Sequence, residues 1–298
     1  MRRPSRRFIA LLFIFLFLPH TFCSVTDAES GKNFLWKVRS KKGTVYILGS
    51  IHFLKKDIYP LNKEIEESFE KSSNLVVEAN VNDVGKIDIE KLIGKAMYQD
   101  DETLENHLSK ETYELLRNEL GQLGVPIDLV KKQRPWFLAL TLTSLELIKL
   151  GYDPAAGIDM HFLGKATGHK KILELESLDY QINLFSTFSD REQETFLLYT
   201  LKDLHTLDRE ADSLLSAWMS GDSKALESIL SKSAEGDSRM SSIYEKLLYE
   251  RNKNMVSKIE GFLKTGETCF VVVGAGHLVG NRGIIEMLRK RGYIVGQL

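Results

Sequence analysis

Thr44-Val-Tyr-Ile-Leu-Gly-Ser-Ile-His52 decides how this chain is read: five β-favouring residues run straight into a Gly-x-x-His turn. The same device returns near the other end, where Cys269-Phe-Val-Val-Val273 leads into Gly274-Ala-Gly-His277. A short apolar run, rich in β-branched residues and bounded by glycine, reads as a strand buried on both faces. Asn74-Leu-Val-Val-Glu78 is a third such run, and it ends in a carboxylate. Two copies of one device, far apart in the chain, place both ends in a single sheet. The expected fold is α/β, with a central mixed or mostly parallel sheet formed by N- and C-terminal segments and a large helical middle section.

The rest of the chain fits around that sheet. Phe34–Val38 alternates like an edge strand, Lys171–Leu175 reads as a further strand, and Tyr293–Val295 as the last. Apolar spacing of three and four predicts helices over 87–98, 109–123, 135–150, 157–166, 192–205, 208–219, 224–230, 238–263 and 284–291. Pro135 suits a first helical position, where its missing N–H costs nothing. A helix is also expected to start near Pro60, with Ile65 and Phe69 on one face.

At the N-terminus Arg2, Arg3, Arg6 and Arg7 precede an unbroken apolar run from Phe8 to Leu18, which Pro19-His20 interrupts. That succession is a secretory signal peptide, too short in its apolar part for a span of about 20 residues. Residues 1–28 are therefore expected to be removed, leaving 29–298 as one domain that is periplasmic or extracellular. The membrane enters only through the leader, if uncleaved. The leader carries four arginines and Asp27, a net +3, so the total of −1 becomes −4. No clustered basic charge suggests a nucleic-acid partner. Cys23 and Cys269 are the only cysteines, which excludes a disulfide framework.

Ligands of open α/β sheets gather beyond the carboxyl ends of the strands. His52, Glu78 and His277 each follow a strand, and two imidazoles with one carboxylate suit a divalent metal that keeps open positions for water. Alone, each has an ordinary structural role as a surface, capping or ion-pairing residue; the recurrence of the turn makes the set specific. Gly274–Gly280 looks like a dinucleotide fingerprint but has one residue too many before its last glycine, and Glu286 falls too early to bind a ribose. There is no phosphate loop, no His-Glu-x-x-His pair and no Gly-x-Ser-x-Gly elbow. Cys269 lies within a hydrophobic strand and reads as a core thiol.

These same residues carry a resemblance. Phe34-Leu-Trp-Lys-Val38, Val45-Tyr-Ile-Leu-Gly-Ser-Ile-His52, Leu75-Val-Val-Glu78 and Phe270-Val-Val-Val-Gly-Ala-Gly-His-Leu-Val-Gly280 resemble the TraB/PrgY/GumN family. Gly157-Ile-Asp159, Leu175-Glu176 with Gln181, and Arg251-Asn252 with Met255 follow in the same order. The resemblance implies a core shared with Tiki-type metalloproteases, erythromycin esterases and the ChaN-like fold. It implies a site of His52, Glu78 and His277 around Mn²⁺ or Co²⁺, with Arg251 beside it; the mixed imidazole and carboxylate set also suits Fe²⁺ and does not exclude Zn²⁺. Gly-Ser-Ile-His stands here where Gly-Thr-Ile-His is commoner. The expected activity is metal-dependent hydrolysis of a peptide or protein substrate, with Glu78 as ligand or general base and Arg251 at the developing oxyanion. A metal-independent, esterase-like hydrolase and a non-catalytic peptide- or cofactor-binding module are the alternatives.

Overall fold

The computed structural model describes residues 31–82, 88–234 and 238–298, so the expected leader lies outside the described residues. Six strands form one sheet: β1 Leu35–Arg39, β2 Thr44–Ser50, β3 Asn74–Val77, β4 Lys171–Glu174, β5 Thr268–Gly274 and β6 Ile294–Gln297, in the order β4-β3-β5-β2-β1-β6. Strands β4, β3, β5 and β2 run parallel, while β1 is antiparallel to both β2 and β6. The continuous apolar runs take the centre because helices cover both faces there; every residue of β3 and six of seven in β2 and β5 are buried.

Strand β1 is not at the edge. Strand β6 pairs with it from Trp36↔Gln297 to Arg39↔Ile294, because the chain's last residues return to the sheet and satisfy the outer backbone of β1. The exposed edges are β4 and β6.

Parallel strands need crossovers, and the helical middle supplies them. The helix Lys63–Glu70, capped by Asn62, joins β2 to β3 and buries Ile65 and Phe69. The rings of Phe69 and Phe162 each meet Phe270 of β5, at 5.6 and 4.9 Å between centroids. These contacts hold Lys63–Glu70 and the helix Ile158–Ala166 on one face of the sheet. In the helical layer Pro135–Lys149, with Pro135 at its first turn, packs on Asp190–Asp203, whose start is closed by a Ser189/Glu192 capping box.

Two departures from the sequence reading bear on the site. Leu178–Ser186, where periodicity gives no helix, is one: Ser177 caps it, and all its side chains are half-buried or exposed, so no apolar stripe announces it. The single helix expected over 238–263 is instead Ser238–Tyr244, a π-turn at Glu245–Tyr249, and Glu250–Thr265. Leu247 O, within the π-turn, accepts from Arg251 Nη1 at 2.9 Å.

Candidate active site

The strand order builds the site. In the parallel register Ser50 of β2 sits beside Gly274 of β5, and Val77 of β3 beside Val272. His277, His52 and Glu78 therefore leave the carboxyl ends of three adjacent strands, with β5 in the middle. Gly274 N–H donates to Glu78 Oε1 at 2.6 Å, which locks the end of β3 to the turn that carries His277.

Glu78, at 4% exposure, is the centre of a buried network. Its Oε2 accepts from Arg251 Nη2 at 2.6 Å and from Gln181 Nε2 at 3.1 Å. Arg251 Nε and Nη2 also fork onto Glu176, with contacts from 2.7 to 3.1 Å. Two buried carboxylates share one guanidinium, so the network carries net negative charge. Burial opposes ionisation of Glu78, yet the Arg251 charge first, then His277, His52 and the Gly274 amide, hold its carboxyl down at about 2.

His277 is fully buried. Its Nδ1 lies 2.6 Å from Asn252 Oδ1, and Asn252 Nδ2 donates to Arg282 O at 2.9 Å, which fixes the amide so that its oxygen faces the ring. The ring must then carry its proton on Nδ1, leaving Nε2 a bare acceptor. That atom has no hydrogen-bond partner among the described residues, and it stands 3.8 Å from Glu78 Oε1. Two acceptors face each other across a buried gap. Burial, aided by the Arg251 charge, pulls this imidazole down to about 3 against the pull of Glu78, so it is neutral at physiological pH.

His52, with 21% of its side chain exposed, pairs through Nδ1 with Asp159 Oδ2. Burial lowers its pKa, but the Asp159 charge and hydrogen bond outweigh this and raise it overall. The approach that brings Asp159 there depends on Gly157: Ile158 N–H donates to Ile51 O at 3.0 Å, and a Cβ on residue 157 would lie 2.1 Å from His52 O. Gly157→Ala is accordingly expected to cost about 1–3 kcal/mol through overpacking and to part His52 from Asp159. Urea unfolding checks the first, and the His52 ring shifts in NMR spectra check the second. Gly49 is likewise needed for close packing rather than for a left-handed turn; a Cβ there would lie 2.4 Å from the Phe34 ring.

The folded-state shifts set a pH dependence. For metal-free protein, the unfolded chain binds a proton at His277 between 6.5 and about 3 that the folded chain refuses, and Glu78 does the same between 4.5 and about 2. Both stabilise fully at higher pH and lose that contribution as pH falls; His52, raised, has the opposite sign, losing its contribution as pH rises through its folded pKa. The expected result is a urea midpoint that falls from about pH 7 to about pH 4, with His277→Asn flattening the upper half of the slope. A wild-type profile level over that range contradicts the assignment.

A cleft of about 370 Å³ opens onto His52, Glu78 and Asp159. A larger open groove of about 760 Å³ follows the β4 edge; it touches the network at Glu176, but His52, Glu78 and His277 are not among its walls. Arg251, only 2% exposed, faces neither substrate space nor solvent, and its Nε, Nη1 and Nη2 all donate within the fold. It positions Glu78, and its geometry offers no hydrogen bond to an oxyanion. Elsewhere, His161 pairs with Glu66, His107 with Glu102 and His205 with Glu119, all apart from the cleft, and Cys269 is a buried thiol.

Asp159, Glu176, Gln181 and Asn252 complete the site; the family resemblance picked out all four, but gave none of them a role. A further signal was available for Glu176, which lies two residues beyond β4 much as Glu78 lies one beyond β3, a second strand-end acid. The partnerships of Asn252 and Gln181 depend on helix placement, which no local pattern gives. The donor types suit a divalent ion, and the bare His277 Nε2 beside Glu78 Oε1 is the feature a cation would satisfy. Among the described residues, however, no group of three or more His, Cys, Asp or Glu side chains stands as a ready-made metal cage.

Two histidines and a buried carboxylate thus gather at the carboxyl ends of the parallel strands of a mixed α/β sheet. Residues 34–297 match the TraB/PrgY/gumN family, and the chain belongs to it. It is 28% identical over 245 residues to the uncharacterized protein YbaP of Escherichia coli (strain K12), covering 82% of this chain and 87% of that one. An uncharacterized protein of Treponema pallidum (strain Nichols) is 24% identical over 310 residues, covering 96% and 92%. Metalloprotease TIKI2 of Danio rerio is 22% identical over 315 residues, covering 88% of this chain but 60% of that protein. No solved structure matches the chain.

Proposed function

We propose that this chain is an exported hydrolase that cleaves peptides with a divalent metal held by His52, Glu78 and His277. The observation that carries the reading is the buried gap between His277 Nε2 and Glu78 Oε1, two acceptors 3.8 Å apart in a network of net negative charge. An uncompensated buried charge is costly, and a cation there offsets it. The similarity to metalloproteases, though distant, supports the same class. Export rests on the basic, apolar and polar succession of residues 1–28; no helix among the described residues is long and apolar enough to cross a membrane.

When bound, Mn²⁺, Co²⁺, Fe²⁺ or Zn²⁺ would acidify a water and polarise the scissile carbonyl. The residues' own parts follow from their contacts. Asn252 fixes the tautomer of His277 so that Nε2 is its donor nitrogen, and Asp159 orients the His52 ring through Nδ1. Glu78, held ionised by Arg251, Gln181 and Gly274, is a weak proton acceptor and fits a ligand better than a general base. The oxyanion would lie on the cleft side, away from Arg251.

The His52–Asp159 pair favours a second reading. An imidazole oriented by a carboxylate, in an open cleft, can take a proton from water without a metal. Metal analysis of the purified protein, with peptide and ester turnover before and after chelation, separates the two. Bound metal and chelator-sensitive cleavage restored by Mn²⁺ or Co²⁺ support the first; turnover indifferent to chelator rejects it in favour of the second. Ligand binding without turnover would leave a binding module.

Asn252→Ala is expected to weaken metal affinity by about 10- to 100-fold, since the imidazole loses the partner that sets its tautomer and orientation. Competitive metal titration measures it. An unchanged affinity would show that the His277 orientation comes from packing alone.

A further inference from the structure

The cleft that opens onto His52 and Glu78 is chemically divided. At one end stand His52, Glu78, Asp159 and Gln181; the rest of its wall is mostly apolar, with Phe53, Val81, Leu140, Met160 and Phe185. Among the described residues no lysine or arginine lines it. These apolar side chains come from five places that the site itself organises. Phe53 and Met160 follow His52 and Asp159, Val81 follows β3, and Leu140 projects from Pro135–Lys149 one turn before Ser144. Phe185 lies on the helix Leu178–Ser186 that also delivers Gln181 to Glu78. The Phe185 ring stacks on the buried Trp136 at 5.6 Å between centroids, so this wall is braced from behind. Its volume, about 370 Å³, is at the lower end of the roughly 300–1,000 Å³ of small-molecule sites.

We propose that this cleft is the specificity pocket of the site and takes one large apolar side chain, of the phenylalanine, leucine or methionine class, from the residue next to the bond being broken. The proposal rests on the hydrolytic reading above for its reaction, but not for its binding. The walls exclude the other classes. An acidic side chain would meet two carboxylates, Glu78 and Asp159. A basic one would find Glu78 paired with Arg251 and Asp159 with His52, and the gap at His277 Nε2 is not on the wall of the cleft. A neutral polar one would lose its water with Ser144 as the chief replacement, because Gln181 Nε2 already donates to Glu78 and Glu176. An apolar side chain loses nothing on entry and removes half-exposed apolar wall from water.

Two measurements on the full chain test this. Metal-supplemented protein is incubated with a mixture of unstructured peptides, and the cleavage sites are mapped by mass spectrometry. In parallel, N-acetyl-phenylalanine amide and N-acetyl-aspartic acid amide are titrated onto the His52→Ala protein, with NMR line shapes as the readout. The expected result is one position flanking the cut that favours Phe, Leu or Met over Asp and Glu by about tenfold or more. Saturable binding of the phenylalanine amide alone is expected with it. Leu140→Lys should reverse the preference toward acidic residues. Ser144→Phe, on the same helix face, should fill the pocket and abolish both effects, which guards against a misfolded Leu140 variant. Cleavage without apolar preference, or with preference unmoved by both variants, overturns the pocket while leaving the hydrolase. No cleavage of any peptide, with phenylalanine-amide binding that Ser144→Phe removes, overturns the hydrolase and leaves the pocket. Neither cleavage preference nor binding overturns the pocket outright.

Discussion

Replacing Arg251 by methionine is expected to lower the unfolding free energy by about 3–5 kcal/mol at neutral pH, the largest stability effect of any single change in the site. Methionine keeps the side-chain length and the apolar packing but leaves Glu78 and Glu176, 4% and 7% exposed, without the guanidinium that they share. A buried carboxylate stripped of its counter-charge pays desolvation in full, which is why losing one partner costs more than the intact pair contributes. The deficit should shrink as pH falls. Without Arg251 the Glu78 pKa in the folded state rises above its unfolded value, and a raised carboxyl group stabilises at low pH. Arg251→Lys should restore little, because one ammonium cannot reproduce a fork that reaches Glu176 through Nε and Nη2 and Glu78 through Nη2. Urea unfolding at two pH values decides it. A methionine variant within about 1 kcal/mol of wild type would mean that water already reaches these carboxylates.

The second large effect is on chemistry. His277→Ala is expected to reduce peptide turnover by about 10³-fold or more, with His52→Ala and Glu78→Gln falling to the same floor, since residues that act as one unit fail together. His277→Ala loses the Nδ1–H bond to Asn252 Oδ1 and leaves a small cavity, but the fold should survive, because Nε2 has no hydrogen-bond partner among the described residues and Asn252 can still donate to Arg282 O. Circular dichroism and the urea midpoint check the fold, and metal content distinguishes a lost ligand from a lost base. Should any one of the three variants keep wild-type turnover, the shared site would be refuted. A double variant of His52 and His277 losing twice as much on a logarithmic scale as either alone would refute the unit, since independent sites add.

The sheet was legible because burial leaves its mark residue by residue. Leu75-Val-Val77 and Phe270-Val-Val-Val273 are apolar on both faces since both faces are covered, and the β-branched content follows from the pleat. The helix Leu178–Ser186 was not legible for the complementary reason. It lies across the cleft with no buried side chain, so it writes no stripe into the sequence, yet it carries Gln181 and Phe185. The break at Glu245–Tyr249 was hidden as well, because a π-turn preserves the apolar content of the helix and changes only which carbonyls are left over. Strand β1 misread as an edge shows the same limit, since its alternation records which face is buried and not whether β6 pairs beyond it.

By itself the sequence determined the strands, their turns and the residues at their carboxyl ends, because those depend on local conformational preference and on which side chains avoid water. Only the tertiary structure decided the rest: the order β3-β5-β2 that sets Glu78, His277 and His52 side by side, and the long-range contacts of Arg251, Asn252 and Asp159. Those contacts join residues that are strangers in the chain. They exist because a buried charge or ring nitrogen must find a partner wherever packing brings one, and no local pattern records which partner that is.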